Sequence, residues 1–185
     1  MGVPSRSEPG QAIAAAEAAT SRPLLFCGDL DIRIASDGTW FHEGTPIGRL
    51  ALVRLFAGLL RREAEGDFWL VTPVERARIR VDDAPFLAVE LKAEGEGRAQ
   101  RLSFRTNLDD WVTADRAHPL WVRQRPGRAD RAPYLMVRDG LEARLTQAVF
   151  YELIEHAREE TQGGEAVLGV DSAGTFFPLG PSPRS

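Results

Sequence analysis

The chain lacks the residue patterns that carry nucleophilic or metal chemistry. It has one cysteine, Cys27, so no intrachain disulfide can form, and the apolar neighbours of this residue predict a buried thiol. The three histidines, His42, His118 and His156, have no second histidine or cysteine at ligand spacing, so no zinc site is expected. No phosphate-binding loop or nucleophile elbow is present. The sequence therefore assigns no catalytic residue, metal or cofactor and favours a non-enzymatic role, although it leaves enzymatic activity open.

Long apolar runs and lysine are also scarce. No stretch of about 18 uncharged apolar residues occurs, so no membrane span is expected. The N-terminus has no basic flank of the kind that a secretory signal needs, and a cytoplasmic location is the prediction. The formal charge of −4 argues against non-specific nucleic-acid binding. Lys92 is the only lysine among 23 basic residues, and the arginine excess suits either bidentate anion binding or a GC-rich genome.

The alternation of apolar residues and turn signals predicts an α+β fold. Thr45 as N-cap and Pro46 at the first helical position predict a helix that runs to about Arg62. A second helix is expected from about Leu141 to Glu159. Strands are predicted at 31–35, 39–43, 68–72, 76–81, 86–93, 101–106, 111–114, 120–123, 133–140, 167–171 and 175–180.

The order of these elements suggests two parts between two tails. We expect a flexible tail over 1–22, an α+β domain over 23–75, a second domain over 76–180 and a short tail over 181–185. The second domain would open with a meander of the strands at 76–81, 86–93 and 101–106.

A weak repeat relates residues 39–72 to residues 133–170. In both segments a strand, a turn with glycine, a helix with an Arg-Leu pair near its start and a further strand follow one another. The match needs gaps of one or two residues. It therefore indicates either an internal duplication or two occurrences of a common strand-helix-strand unit.

Several blocks resemble an uncharacterised bacterial family, domain-of-unknown-function family 1285. They are DGTWFHEGTPIGRLALVRLF (37–56), LVTPVE (70–75), VDDAPF (81–86), RTNLDD (105–110), VRDGLEARL (137–145) and LGVDSAGTFFPLG (168–180). The resemblance covers residues 27–180. It implies a two-part α+β fold with an internal duplication and a C-terminal part similar to pleckstrin-homology domains, an antiparallel barrel with a packed helix. It also implies a regulatory role and a site for a nucleotide-like ligand between the parts, but no catalytic residues.

Arg49 is the first candidate for ligand binding. A helix starting at Thr45 would place it in the middle of an apolar face, where a guanidinium needs a partner. That partner could be an anionic ligand at the helix start or an internal carboxylate such as Glu75 or Asp82, unless the side chain reaches past the helix end to water. Arg144, its counterpart in the repeat, falls on a polar helix face and should be solvated.

The remaining site candidates follow from chain order and from polar residues at turn signals, whose carboxylates could do acid/base work or hold Mg²⁺. Thr72, Pro73 and Glu75 close the first part and are expected to line a cleft between the parts. Asp82 and Asn107 lie in turn-like segments, where they serve either a ligand or the turn itself.

Arginine occurs in two further groups, each with two interpretations. Arg76, Arg78 and Arg80 would form a row on one strand face, either tracking phosphates or facing acids such as Glu90 across the sheet. The loop 123–131 carries four arginines and is either an anion clamp or a solvated linker.

Three functions are therefore carried forward. The first is a small-ligand-binding regulatory protein whose ligand is anionic or nucleotide-like. The second is a protein-interaction module in which Trp69, Trp111 and Trp121 anchor a partner. The third is an enzyme using Asp82 or Asp109 with His118 as acid or base.

Overall fold

The computed structural model describes residues 25–182 except for the side chain of Cys27, and it has a mostly β fold with two helices. The predicted tail 1–22, residues 183–185 of the predicted tail 181–185 and the Cys27 thiol lie outside the described residues. The α+β prediction is confirmed. No helix within residues 25–182 is long and apolar enough to cross a membrane.

The first sheet contains six strands. They are β1 (Leu25–Ile34), β2 (Trp40–His42), β3 (Thr45–Pro46), β4 (Leu60–Arg62), β5 (Phe68–Val71) and β6 (Glu75–Val81). Their order is β3-β2-β1-β6-β5-β4, so two antiparallel meanders meet at a parallel central pair, β1 and β6. This sheet and helix α1 (Leu50–Leu59) form the first part of the chain.

The second sheet repeats this arrangement. Its strands are β7 (Phe86–Glu94), β8 (Arg101–Thr106), β9 (Trp111–Thr113), β10 (Leu120–Gln124), β11 (Arg131–Arg138) and β12 (Leu141–Leu145). Their order is β10-β11-β12-β7-β8-β9, and the central pair β12 and β7 is again parallel. The six strands of each sheet therefore follow the same path.

A smaller third sheet completes the second part after helix α2 (Gln147–Glu155). It consists of β13 (Arg158–Gln162), β14 (Glu165–Ser172) and β15 (Thr175–Pro181). The buried Ser172 hydroxyl accepts from Leu102 N (2.9 Å) and donates to Ala114 O (2.6 Å). Gln100 Nε2 donates to Asp171 O at 2.8 Å. These buried hydrogen bonds attach the end of β14 to the second sheet.

Both helices begin later than the sequence pattern predicts. Thr45 and Pro46 pair as a strand with His42 and Phe41, so α1 starts at Leu50 and has no side-chain cap. Leu141–Leu145 pairs with β11 and β7, and α2 starts after Thr146, whose hydroxyl accepts from Val149 N. In both segments strand pairing takes residues that local propensity assigned to a helix.

Strand β6 was expected in the meander of the second part, but it belongs to the first sheet. It pairs in parallel with β1 and antiparallel with β5. The expected meander therefore retains β7, β8 and the short β9. Alternation along a strand identifies its buried face but not its neighbour, which is why the partner was wrong.

One continuous apolar core runs through both parts. It joins side chains of the first sheet, such as Ile34 and Trp40, to side chains of the second, such as Phe86 and Phe104. Helix α1 adds Val53 and Ala57 to this core, while α2 adds Val149 and Leu153. The two parts are therefore packed together by apolar burial, the main stabilising term in folding.

Two glycine-to-alanine substitutions should have opposite effects. A Cβ at Gly169 would lie 2.5 Å from Phe177 O, so Gly169→Ala should lower the free energy of unfolding by about 1–3 kcal/mol. A Cβ at Gly58, inside α1, meets nothing within 4 Å, so Gly58→Ala should raise it by about 0.5–1 kcal/mol. Urea unfolding would measure both. Equal effects at the two positions would contradict the close backbone approach at Gly169.

The third sheet should lose stability in acid through Asp171. Hydrogen bonds from Arg158, including one of 2.9 Å from Nη2, hold the pKa of this carboxyl below its usual range despite its burial. A lowered folded-state pKa stabilises the protein above the unfolded pKa of about 3.9, and this contribution disappears as the pH falls through the folded value. Asp171→Asn should therefore cost about 1–2 kcal/mol at pH 7.

Urea unfolding of the parent and Asp171→Asn proteins at several pH values would test this linkage. The difference between them should be constant above about pH 5 and should shrink in more acidic buffer. A difference that stays the same at every pH would exclude the ion pair as its cause.

Candidate functional site

Arginine side chains bridge the two parts by donating to backbone carbonyls across their boundary. Two of them reach from the first part to the second, and two reach back. The hydrogen bonds are Arg54 Nε to Leu108 O (3.1 Å), Arg62 Nη1 to Gly140 O (3.2 Å), Arg138 Nη2 to Ala57 O (2.6 Å) and Arg144 Nη2 to Ser36 O (2.8 Å). Each guanidinium retains further donors, which remain available to other groups.

A cleft of about 700 Å³ lies beside the Arg54 and Arg138 bridges, between α1 and the second part. Its volume falls within the usual range for small-molecule sites. Phe86 and Leu108 supply apolar lining. Charged side chains supply the rest, namely Arg54, Arg61, Arg138, Asp109, Asp110 and Asp139.

Two of the cleft guanidiniums have no carboxylate partner within residues 25–182. Arg61 donates to the carbonyls of Gly58 (2.9 Å) and Leu60 (2.7 Å), while Arg138 has the carbonyl of Ala57. Arg54 differs, because it is ion-paired with Asp109. A guanidinium without a carboxylate partner can bind an anionic ligand without breaking an ion pair.

The cleft carboxylates divide in the same way. Asp109 has φ 70° in the turn after β8 and also pairs with Arg105 at 2.8 Å, so two arginines hold it. Asp110 and Asp139 form no ion pair within the described part of the chain. Free carboxylates accept hydrogen bonds from hydroxyl or amino groups. The cleft thus offers separate positions for an anionic group and for hydrogen-bond donors.

A deeply buried charge is Asp83, in the link between β6 and β7. Only 4% of its side chain is exposed. It lies 3.0 Å from Arg144 Nε and 3.5 Å from Arg125 Nε, and Tyr134 donates a 2.6 Å hydrogen bond to it. Burial and this hydrogen bond raise the pKa of Tyr134, so its phenol stays protonated. A second buried carboxylate, Glu142, pairs with Arg123.

Arg144 and the loop arginines therefore differ from expectation. Arg144 was expected to be solvated on a helix, but it lies on β12 with 15% of its side chain exposed. Arg123 and Arg125 turn inward to Glu142 and Asp83, whereas Arg128 is exposed. The sequence showed a run of arginines in the loop 123–131 and the acidic pair Asp82-Asp83. It did not show that Asp83, rather than Asp82, is the buried partner of these arginines.

Arg49 does not lie on the apolar face of α1, so that prediction is wrong. The helix starts at Leu50, and Arg49 is its exposed N-cap residue, with φ −89° and ψ 101°. Its carbonyl accepts from Leu52 N and Val53 N. An exposed guanidinium needs no protein partner, which removes the argument that singled this residue out.

Thr72, Pro73 and Glu75 form the tight turn between β5 and β6. Thr72 Oγ1 accepts from Glu75 N at 3.0 Å and Pro73 is exposed. Thr72 and Glu75 line a small, mainly apolar cavity of about 190 Å³ against α1 side chains such as Phe56. All of its lining residues belong to the first part, so it is separate from the cleft.

Asp82 and Asn107 are also apart from the cleft. Asp82 pairs with Arg33 at 2.6 Å and lines an open groove of about 710 Å³ along β1 and β6. Asn107 Oδ1 accepts from Leu87 N at 3.0 Å, and its amide nitrogen lies 2.8 Å from where a Cβ would stand on Gly38. Asn107 therefore braces the second part against a turn of the first.

The residues of the enzyme hypothesis are not brought together. His118 Nδ1 pairs with Asp115 at 3.0 Å, while Asp82 and Asp109 pair with arginines. Within residues 25–182 none of His118, Asp82 and Asp109 hydrogen-bonds to another. In the same residues no group of three or more His, Cys, Asp or Glu side chains is placed to hold a metal ion.

The tryptophans and the arginine row have separate settings. Trp111 is 46% exposed on the edge strand β9, but Trp69 is buried and Trp121 is half-buried.

The row of arginines on β6 faces carboxylates of the first part rather than Glu90. These pairs are Arg76 with Glu63 (2.6 Å), Arg78 with Asp29 (2.8 Å) and Asp67 (3.4 Å), and Arg80 with Asp31 (3.9 Å).

The fold and the cleft define a two-part α+β protein with a polar cleft beside the boundary of its parts. Comparison with family models gives two matches. "Domain of unknown function (DUF1285), N-terminal domain" matches residues 23–84, and "Protein of unknown function (DUF1285), C-terminal domain" matches residues 85–179. The chain belongs to the DUF1285 family, which confirms the resemblance found in its sequence.

Two solved structures are similar over much of the chain. A DUF1285 family protein from Silicibacter pomeroyi DSS-3 is 43% identical, with 93% of this chain and 96% of that chain covered and a TM-score of 0.80. A DUF1285 family protein from Shewanella baltica OS155 is 25% identical, with 68% and 91% covered and a TM-score of 0.53. No curated protein matches the chain.

Removing the buried charge of Asp83 should destabilise the protein much more than removing the exposed charge of Asp82. Asp83→Asn leaves Arg125 and Arg144 largely buried without their shared carboxylate, which should cost about 3–5 kcal/mol. Asp82→Asn breaks only the exposed pair with Arg33 and should cost less than about 1 kcal/mol. Chemical denaturation would compare the two variants. Similar losses would show that Asp83 does not anchor these arginines.

Proposed function

We propose that the protein is a non-catalytic, small-ligand-binding regulatory protein whose ligand is nucleotide-like and occupies the cleft between α1 and the second part. The observation that carries this proposal is the pair of cleft guanidiniums, Arg61 and Arg138, that have no carboxylate partner in the described residues. Arginine binds phosphate and carboxylate groups with two parallel hydrogen bonds. We expect the anionic group of the ligand to contact these two side chains.

The other polar groups of the cleft suit the remainder of such a ligand. Asp110 and Asp139 can accept hydrogen bonds from ribose hydroxyls or from the amino group of a base. The three arginines and three aspartates of the lining balance one another in charge. A ligand with both an anionic end and hydrogen-bond donors therefore fits better than a simple anion.

The lining also favours binding over covalent chemistry. It contains no serine, cysteine, histidine or lysine, so it has none of the usual nucleophiles of acyl transfer. Both parts contribute walls, and a ligand bound to both would favour one relative placement of them. Stabilisation of this packed arrangement by the ligand is the physical basis for the regulatory role in this proposal.

We also propose that the chain contains an internal duplication. The six strands from β1 to β6 and the six from β7 to β12 follow the same path with the same parallel central pair, which supports duplication of residues 25–81 and 86–145. The relation of the second part to pleckstrin-homology domains draws support from helix α2 after the last strand of its sheet. The parallel pair departs from an all-antiparallel barrel.

A thermal-shift screen against nucleotides, cyclic nucleotides and other phosphorylated metabolites would test the ligand proposal. A ligand at 100 times its Kd adds about 2.7 kcal/mol, or about 5–10 °C in Tm for a chain of this length. Arg61→Gln should remove most of this shift, because it deletes a guanidinium of the cleft. The variant should still fold, because the Arg61 side chain is exposed.

Arg116→Gln is the matched control, because Arg116 is also exposed but lies outside the cleft. It should leave the shift unchanged. A shift that survives Arg61→Gln would place the ligand elsewhere, and the absence of any shift across the panel would contradict the proposal.

A second candidate is the protein-interaction module. Leu25, Phe26 and Val74 are all exposed where β1 begins, and Leu25 N donates to Val74 O at 3.0 Å, so the three residues lie at the same end of the first sheet. An exposed apolar patch often marks an interaction site. This candidate would gain weight if the ligand panel gave no shift.

A further inference from the structure

A second charged cavity lies in the second part, at the start of α2. Its volume is about 380 Å³, and it shares no lining residue with the cleft. Three arginines and one carboxylate provide its charged groups, namely Arg125, Arg131, Arg144 and Asp130. The lining therefore carries a formal charge of +2, which Asp83 behind it reduces to +1 because that carboxylate contacts Arg125 and Arg144.

Two of these guanidiniums are held in place by the protein. The side chains of Arg125 and Arg144 are only 13% and 15% exposed, and both contact the buried carboxylate of Asp83. Arg125 also pairs with Asp130 at 3.1 Å. Because their positions are fixed before a ligand arrives, binding an anion costs them little side-chain entropy.

The carboxylates around these three arginines do not neutralise them fully. Asp83 is shared by Arg125 and Arg144, and Glu142 is already paired with Arg123. Arg131 has the carbonyl of Val122 as its hydrogen-bond acceptor (3.1 Å) and no carboxylate partner within residues 25–182. An incoming anion would supply the missing negative charge.

The start of α2 and its aromatic residues complete the cavity. Thr146 caps Val149 N, while Gln147 N and Ala148 N donate to no acceptor within the described part of the chain, as is usual for the first turn of a helix. Tyr151 is 62% exposed at the cavity, and Gln147 Nε2 bonds its hydroxyl at 2.7 Å. A flat ring could stack on Tyr151 while its anionic group contacts the arginines.

We propose that this cavity is a second binding site, which takes a small phosphomonoester that carries a flat ring. A phosphomonoester bears about −1.5 to −2 charges at pH 7 and would neutralise the positive charge that Asp83 and Asp130 leave on the three arginines. Its three acceptor oxygens can use Arg125, Arg131 and the free N–H groups of α2 together. The site does not depend on the cleft and stands even if the cleft binds nothing.

Calorimetric titration with phenyl phosphate, inorganic phosphate and phenol would test the site. Phenyl phosphate should bind with one-to-one stoichiometry, at least tenfold more tightly than inorganic phosphate, and phenol should not bind measurably. Arg131→Gln and Tyr151→Ala change exposed side chains, so both variants should fold. Each should weaken phenyl phosphate at least tenfold. Equal affinity for phenyl phosphate and inorganic phosphate would overturn the requirement for a ring.

Two control variants distinguish this cavity from the cleft. Arg116→Gln on the surface should bind phenyl phosphate with unchanged affinity, whereas Arg61→Gln reports any binding of phenyl phosphate in the cleft. Loss of binding in Arg61→Gln but not in Arg131→Gln would place the ligand in the cleft and overturn the proposal. Absence of binding by the parent protein, or unaltered binding by both Arg131→Gln and Tyr151→Ala, would also overturn it.

Discussion

The buried carboxylate of Asp83 is the constraint on which the arrangement of the charged residues depends. It lies in the short link between the two six-stranded sheets and fixes Arg125 and Arg144 through ion pairs. Arg144 in turn donates to Ser36 O of the first part at 2.8 Å. A buried ion group is costly to desolvate, so it persists only when every member has partners. Asp83 thereby positions both the arginine that donates across the boundary between the parts and the arginines that line the second cavity.

The coarse fold could be predicted from the sequence because alternation and turn residues are local signals. The strands β7, β8, β10 and β11 and the final hairpin of β14 and β15 lie close to where the pattern placed them. The helix starts were wrong, because Thr45 and Leu141 have strand partners that local propensity does not include. Strand partners were the weakest prediction for the same reason. The parallel pair of β1 and β6 joins segments far apart in the chain.

The candidate site could be predicted in kind but not in its residues. Arginine was expected to matter, yet the argument for Arg49 rested on a helix start that strand pairing displaced. Strand β6 ends at Val81, and the two acids that follow it differ in burial. The side chain of Asp82 is half-exposed, whereas the side chain of Asp83 is buried. Neighbouring residues with identical side chains give no sequence signal for this difference. Arg61 and Arg138 meet in one cleft only through tertiary packing, which neither segment encodes alone.

The central parallel pairs also bear on how the chain acquires its structure. In each six-stranded sheet the first and last strands are the neighbours in the middle, while the edges come from the segments between them. Hairpins such as β2–β3 or β8–β9 can form locally, but each central pair closes a long loop and bears the entropy cost of doing so. High sequence separation of contacts slows folding. During synthesis, β1 and β7 must therefore wait with an unpaired edge until β6 and β12 leave the ribosome.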